Sequence, residues 1–172
     1  MEKIDLKEGD KAPVFKLESF NAGTINLAEI VGDQKIVLIF SRYFGCPICQ
    51  LDLKTLLEHK NAIIEKGAKI LYITQSGEKV ANEFIKKENI DFPVIQSSKD
   101  ELYAQYGLGL MTSEAVKQIP NKIKEIRKYG IVHGEYEGWE KQGPGSFVID
   151  TQGKIIHKQK GWLDIESILA VL

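Results

Sequence analysis

The sequence predicts an α/β domain assembled around a strand–helix–strand unit. Three observations point to it. Short apolar runs alternate with amphipathic stretches along the chain. Ile36-Val-Leu-Ile-Phe40 and Ala68-Lys-Ile-Leu-Tyr-Ile73 read as interior strands, and the segment between them carries helical spacing. With 172 residues, 43% apolar and 27% charged, the chain can bury about 70% of its unfolded surface in one core without a metal or disulfide staple.

The elements follow in order. Pro13 to Leu17 alternates weakly, and Gly23-Thr-Ile-Asn-Leu27 returns beside it as a hairpin. Ile36 to Phe40 is apolar at every position, as expected of a central strand covered on both faces. From about 46 to 66, Leu53, Leu56, Leu57, Ile63 and Ile64 fall at helical spacing among Asp52, Lys54, Glu58, Lys60 and Glu65, and Gly67 supplies a stop. With Ala68 to Ile73 this makes a right-handed βαβ unit. Ser76 is placed to cap a helix whose apolar face holds Val80, Phe84 and Ile85. Phe92 to Ile95 is a short strand near an edge, because Pro93 donates no ladder bond.

Ser98-Lys-Asp-Glu101 has capping-box spacing before Leu102 and Tyr106, with Gly107 past the end. Gly107 to Gly143 is a long connection with its own helix, which Asn121 caps and Gly130 ends, with Ile123 and Ile126 on one face. Lys122, Lys124, Arg127 and Lys128 cluster there, as a solvated face or as a docking patch for an acidic partner. Ser146 to Ile149 and Lys154 to Ile156 flank Asp150-Thr-Gln-Gly153 as a hairpin. A last helix starts at Asp164, stapled by Leu163 and Ile168.

Composition excludes several classes. Lys and Arg total 23 against 24 Asp and Glu, a net charge of −1 that offers no broad footprint for nucleic acid. Met-Glu-Lys-Ile-Asp-Leu-Lys-Glu has neither the basic nor the apolar region of a signal peptide. No apolar run approaches the roughly 18 residues that span a bilayer, so the expected setting is cytoplasmic, away from membranes. No Ser-His-Asp order, P-loop or GxGxxG is present, and Gly143-Pro-Gly-Ser lacks the spacing and Lys of a phosphate loop. His59 reads as solvated on a polar helix face, His133 as a loop residue that could flank a site, and His157 suggests no mechanism.

The two cysteines are Cys46 and Cys49, a few residues after the central strand and at the start of the helix. Free N–H groups and the positive end of the helix dipole stabilise a thiolate there. Pro47 suits the first turn, having no N–H to leave unpaired. A separation of three puts both sulfurs on one face, close enough to form a disulfide. Cys46, at the helix mouth, is the expected exposed nucleophile, Cys49 the resolving thiol, and Arg42 a source of positive charge. Two other readings stay open: inert buried cysteines, or half of a zinc site completed across a dimer axis.

A CxxC at a strand-to-helix turn is the redox motif of thioredoxin-like folds. The sequence resembles the thioredoxin superfamily, in its AhpC/TSA or peroxiredoxin-like branch, over nearly its whole length. Gly9-Asp-Lys-Ala-Pro13-Val-Phe-Lys-Leu is similar to the first strand of that branch, and Arg42-Tyr-Phe-Gly-Cys46-Pro-Ile-Cys49 to its R-x-x-[WG]-C-x-x-C motif. Phe92-Pro-Val-Ile with Tyr106-Gly-Leu, and Pro144-Gly-Ser-Phe-Val-Ile-Asp150-Thr-Gln-Gly153-Lys-Ile, match two later motifs. The resemblance implies that Pro144 is a cis-proline facing the cysteine pair, positioning substrate backbone; an ordinary trans turn proline is the alternative.

Two features depart from typical peroxiredoxins, which carry Pro-x-x-x-[Thr/Ser]-x-x-Cys. Tyr43 stands three residues before Cys46 and Ile39 seven before, and Pro144 replaces the late arginine. The central strand also lacks the buried Asp that thioredoxin uses to accept the resolving thiol's proton.

The expected architecture is therefore one thioredoxin-like sandwich over residues 1–172, with a central mixed sheet, an N-terminal hairpin and a helical insertion at about 110–142. The expected activity is thiol–disulfide oxidoreduction by Cys46 and Cys49, with no bound cofactor and a thioredoxin-like reductant or protein disulfide as partner. A thiol peroxidase acting on hydroperoxides is the alternative, in which either cysteine attacks first. A third reading is a redox-sensing domain that docks through the insertion. Domains of this branch are often homodimers, and no interface is identifiable from the residues.

Overall fold

The computed structural model describes residues 4–172. Its sheet holds β3 (Lys35–Phe40), β4 (Ala68–Thr74), β5 (Val94–Gln96), β6 (Gly145–Ile149) and β7 (Ile155–Gln159), in the spatial order β5-β4-β3-β6-β7. β4 runs parallel to β3 and β5 to β4, whereas β6 and β7 return antiparallel. Before it, β1 (Lys16–Glu18) and β2 (Thr24–Asn26) form the expected hairpin, with Leu17 opposite Ile25.

β3 is central because both of its faces are apolar. Val37 and Ile39 point into a core layer under α2 (Pro47–Glu65), α3 (Glu78–Lys87) and α6 (Ile165–Val171). Ile36, Leu38 and Phe40 point into the opposite layer, with Leu27 of α1 (Leu27–Ile30) and Tyr103 of α4 (Leu102–Gln105). Phe40 meets Tyr103, Tyr106 and Phe147 at ring separations of 5.2, 5.1 and 5.9 Å. Gly67 takes φ +83° after α2, and Gly153 takes φ +80° in the β6–β7 hairpin. Asp164 caps α6 by accepting the Ser167 N–H.

Three helix starts differ from expectation. Ser76 does not cap α3, because its hydroxyl accepts the Phe44 N–H at 2.9 Å and Gly77 is the cap residue. The Ser98–Glu101 capping box does not form; the Ser97 hydroxyl accepts the Leu102 N–H instead. α5 (Ser113–Tyr129) begins eight residues before Asn121, because Thr112 caps it through the Ala115 N–H at 3.1 Å. Gly130 ends it with φ +64°, as expected. Of Ile123 and Ile126 only Ile126 is buried; Ile123 is 38% exposed.

The basic cluster is divided by the fold. Lys122 turns inward to Asp52 at 3.0 Å, leaving Lys124, Arg127 and Lys128 exposed. No helix among the described residues is long and apolar enough to cross a membrane.

Pro144 is not the expected cis-proline: no described peptide bond is cis. A cis bond serves a tight turn, and the chain makes none here. Residues 141–143 pair with 109–111, through Met111 N to Lys141 O at 2.9 Å and Gly143 N to Gly109 O at 2.8 Å, and then continue directly into β6.

Candidate active site

The loop from β3 to α2 is pinned to the end of β4. Ser41 N–H donates to Ile73 O, Gln75 N–H and the Thr74 hydroxyl to Arg42 O, and Phe44 N–H to Ser76 Oγ. Tyr103, fully buried, donates its hydroxyl to Ser41 O at 2.6 Å. These bonds hold Cys46 at the mouth of α2, where it is the N-cap residue and Pro47 is the first helical residue.

The Cys46 sulfur accepts the Cys49 N–H at 3.4 Å and faces Arg42 Nη1 at 3.6 Å. The Cys49 thiol, one turn into the helix on the same face, stabilises a Cys46 thiolate by hydrogen bonding, and Arg42 and the N–H groups of Cys49 and Ile48 add to it. Against the cost of burial they lower the Cys46 pKa to about 7. Burial pushes the Cys49 thiol well up, and its neighbour's negative charge pushes it further. Both cysteines are free thiols. The pair is thus an acidic thiol beside a reluctant one.

Cys46 is not exposed as expected; it is 3% accessible. It packs in a cluster with Ala115 and Ile126 of α5 and with Trp162, with Ile131 against it, and a strap, residues 131–142, leaves α5 and bonds to the residues around the motif. Gly134 N–H donates to Gly45 O, Gln50 Nε2 to Val132 O, and Arg42 Nη2 to Glu140 O at 2.7 Å, while the Glu140 carboxylate lies 3.5 Å from the same nitrogen. His133 does flank the site: its ring stacks on Tyr136 at 4.0 Å and its Nε2 lies 3.2 Å from the Tyr43 hydroxyl. Glu137 accepts the Gly77 N–H at 2.7 Å, and Gln75 accepts the Trp139 N–H at 3.1 Å. Arg42 is therefore shared between the Cys46 sulfur and the strap.

Beneath the pair, a cavity of about 20 Å³ is lined by Cys49, Asp52, Tyr72, Pro144 and Trp162 among others. Trp162 is 2% exposed and donates to Ala115 O, tying α5 to this layer. Among the described residues no three His, Cys, Asp or Glu side chains gather as metal ligands. His59 bonds the Thr55 carbonyl of its own helix and takes no part in the site.

The structure thus brings Arg42, Cys46, Pro47 and Cys49 together, and Pro144 lines the same small cavity as Cys49. Sequence reasoning missed Glu140, Tyr43, Trp162 and Asp52. Asp52 carried a signal, lying three residues after Cys49 on the same helix; Glu140 carried none.

Residues 8–158 match the AhpC/TSA family profile. The chain belongs to the AhpC/TSA family. It is 24% identical to the thiol-disulfide oxidoreductase ResA of Oceanobacillus iheyensis over 136 residues, covering 76% of this chain and 70% of that one. It is equally 24% identical to peroxiredoxin Bcp of Escherichia coli over 152 residues, covering 88% and 84%. Among solved structures it superposes on peroxidoxin BcpB of Mycobacterium tuberculosis with TM-score 0.72 at 18% identity, over 96% of each chain. A thiol:disulfide interchange protein of the thioredoxin family from Chlorobium tepidum matches with TM-score 0.59 at 16% identity, over 98% and 96%. The fold of this family member is accordingly thioredoxin-like.

Proposed function

We propose that this protein is a thiol–disulfide oxidoreductase in which Cys46 attacks and Cys49 resolves. The observation that carries the reading is the pairing of an acidic Cys46, held by Arg42 at the helix mouth, with a buried Cys49 of raised pKa. The Cys46 thiolate attacks one sulfur of a substrate disulfide, whose S–S bond breaks and releases the first substrate thiolate. Cys49 then loses its proton and attacks the Cys46 sulfur, releasing the second. The substrate gains two electrons and the Cys46–Cys49 pair loses them. A thioredoxin-like dithiol restores the pair.

Arg42 activates Cys46 in this scheme, Pro47 starts the helix whose dipole assists, and Pro144 lines the cavity beside Cys49. Residues 1–172 work as one unit, with 110–142 as an added cover over the redox pair. A reducing compartment such as the cytoplasm suits two free thiols in contact.

The strap favours a second reading, peroxide reduction. A hydroperoxide is small enough to reach a covered sulfur with less displacement than a protein disulfide needs. Cys46 would then break the O–O bond, release an alcohol or water, and become a sulfenic acid that Cys49 condenses with, losing water. Against it, Tyr43 stands where a peroxiredoxin carries Thr or Ser, its phenol hydroxyl is directed to His133 at 3.2 Å, and the Arg42 guanidinium is also bonded to Glu140.

Stopped-flow Trp fluorescence of the reduced protein, with mass spectrometry of both cysteines, separates the two. Disulfide exchange predicts a hydrogen peroxide rate near that of an ordinary thiolate. A rate orders of magnitude higher makes the protein a peroxidase, because a low pKa alone does not supply it.

A further inference from the structure

Cys49 must lose a proton to resolve a mixed disulfide, yet it is buried and its burial opposes ionisation. The central strand supplies no acid to take that proton. The cavity beneath the pair holds one carboxylate, Asp52, one turn along α2 from Cys49 and on the same face. At about 20 Å³ the cavity has room for a single water.

The bonds of Asp52 leave it capacity to accept. One oxygen receives Lys122 Nζ at 3.0 Å and the other the Leu163 N–H at 2.9 Å, which uses two of about four lone-pair sites. The other ionisable groups around the two residues are Cys46 and Arg42 before α2, Tyr72 on β4, Tyr103 on α4, and Lys122 and Glu125 on α5. Tyr72 and Tyr103 are held as neutral phenols by burial, Arg42 and Lys122 are cations, and Cys46 is consumed in the mixed disulfide. Glu125 is exposed and does not line the cavity.

We propose that Asp52 is the base that takes the Cys49 proton during resolution, directly or through one water in the cavity. The Cys49 S–H bond breaks, the proton passes to the Asp52 carboxylate, and the thiolate displaces the substrate sulfur from Cys46. When the disulfide is later reduced, the Asp52 acid returns the proton to Cys49. Burial raises the Asp52 pKa from the ordinary carboxylate range, which strengthens it as a base, and the Lys122 charge opposes the rise. The proposal rests on the reading that Cys46 attacks and Cys49 resolves.

The test uses dithiodipyridine, a small disulfide that releases one thiopyridone when attacked and a second when the mixed disulfide resolves. In the wild-type protein the second release rises with pH through the Asp52 titration and then levels. Asp52→Asn keeps an acceptor for Leu163 and should leave the first release unchanged within about twofold. Its second release should slow by about 10²-fold near pH 7 and keep rising with pH without levelling. Lys122→Met should move the midpoint of the second release to higher pH and retain the plateau.

A second release in folded Asp52→Asn with the wild-type rate and profile overturns the proposal. So does an unmoved midpoint in Lys122→Met, which decides the matter if Asp52→Asn does not fold. The underlying reading fails separately, if Cys46→Ser attacks dithiodipyridine as fast as Cys49→Ser.

Discussion

Gly134 donates its backbone N–H to the Gly45 carbonyl at 2.9 Å, so the strap touches the chain at the residue before Cys46. The contact requires glycine on the motif side. A Cβ at Gly45 would lie 2.9 Å from the Glu135 nitrogen, with the Glu135 carbonyl oxygen nearer still. The two backbones approach because neither Gly45 nor Gly134 carries a side chain there, next to a buried Cys46.

Gly45→Ala should therefore lift the strap. At fixed pH, alkylation of Cys46 by a bulky maleimide should speed by roughly tenfold or more, with about 1–3 kcal/mol of stability lost to the clash. Unchanged alkylation in a folded variant would remove the strap as the barrier to substrate.

The acidity of Cys46 has separable sources. Cys49→Ala removes the thiol that stabilises the thiolate most, and Arg42→Met removes the nearby cation. Each should raise the midpoint of Cys46 alkylation from about 7, Cys49→Ala by more. A rise of one pH unit corresponds to about 1.4 kcal/mol and leaves roughly tenfold less thiolate below the midpoint. Thiolate absorbance against pH gives both values. An Arg42→Met midpoint equal to wild type would sink the activating role proposed for Arg42.

Arg42→Met carries a second consequence, because Arg42 Nη2 also donates to Glu140 O in the strap. The variant should alkylate faster with bulky reagents once its smaller thiolate fraction is taken into account. Hydrogen exchange should rise in residues 131–142 and not in β3. Equal protection of the strap in both proteins would show that other bonds hold it.

His157 on β7 is 9% exposed, and its Nε2 is buried without a partner. Burial lowers its pKa below 6.5, against the opposing pull of Glu8 and Asp164. The unfolded chain therefore takes up the proton first as pH falls. The stability present above about pH 6.5 is lost as pH drops from the unfolded pKa towards the folded one. Urea midpoints at about pH 7.5 and 5 should differ less in His157→Leu than in wild type. An identical difference would assign the loss to other groups.

Pro120 interrupts α5, leaving the Val116 carbonyl without its helical donor while both residues are exposed. Pro120→Ala restores that bond and should raise stability by about 2 kcal/mol, the helix gain being partly offset by a freer unfolded chain. Thermal unfolding measures it, and a lower melting temperature would show that Pro120 is needed for packing against α2.

Local chemistry and periodicity were enough for the βαβ unit, the hairpins, the place of Cys46 and Cys49 at a helix start, the glycine stops at 67 and 130, and the turn glycine at 153. Each depends on residues within a turn or two, or on a strand whose every position is apolar. Helix starts were less legible: Ser76, Ser98 and Asn121 each had capping chemistry, but distant partners or a better neighbouring cap decided where the turns began. The exposure of Cys46, the pairing of Arg42 with Glu140 and the meeting of Asp52 with Lys122 join residues 70 to 98 positions apart, or depend on a strap that does. No local pattern encodes such contacts, because they form only when the sheet has brought α2 and the end of α5 together. The sequence by itself determined that a CxxC pair opens a helix. Tertiary structure alone decided what covers that pair and which carboxylate lies beneath it.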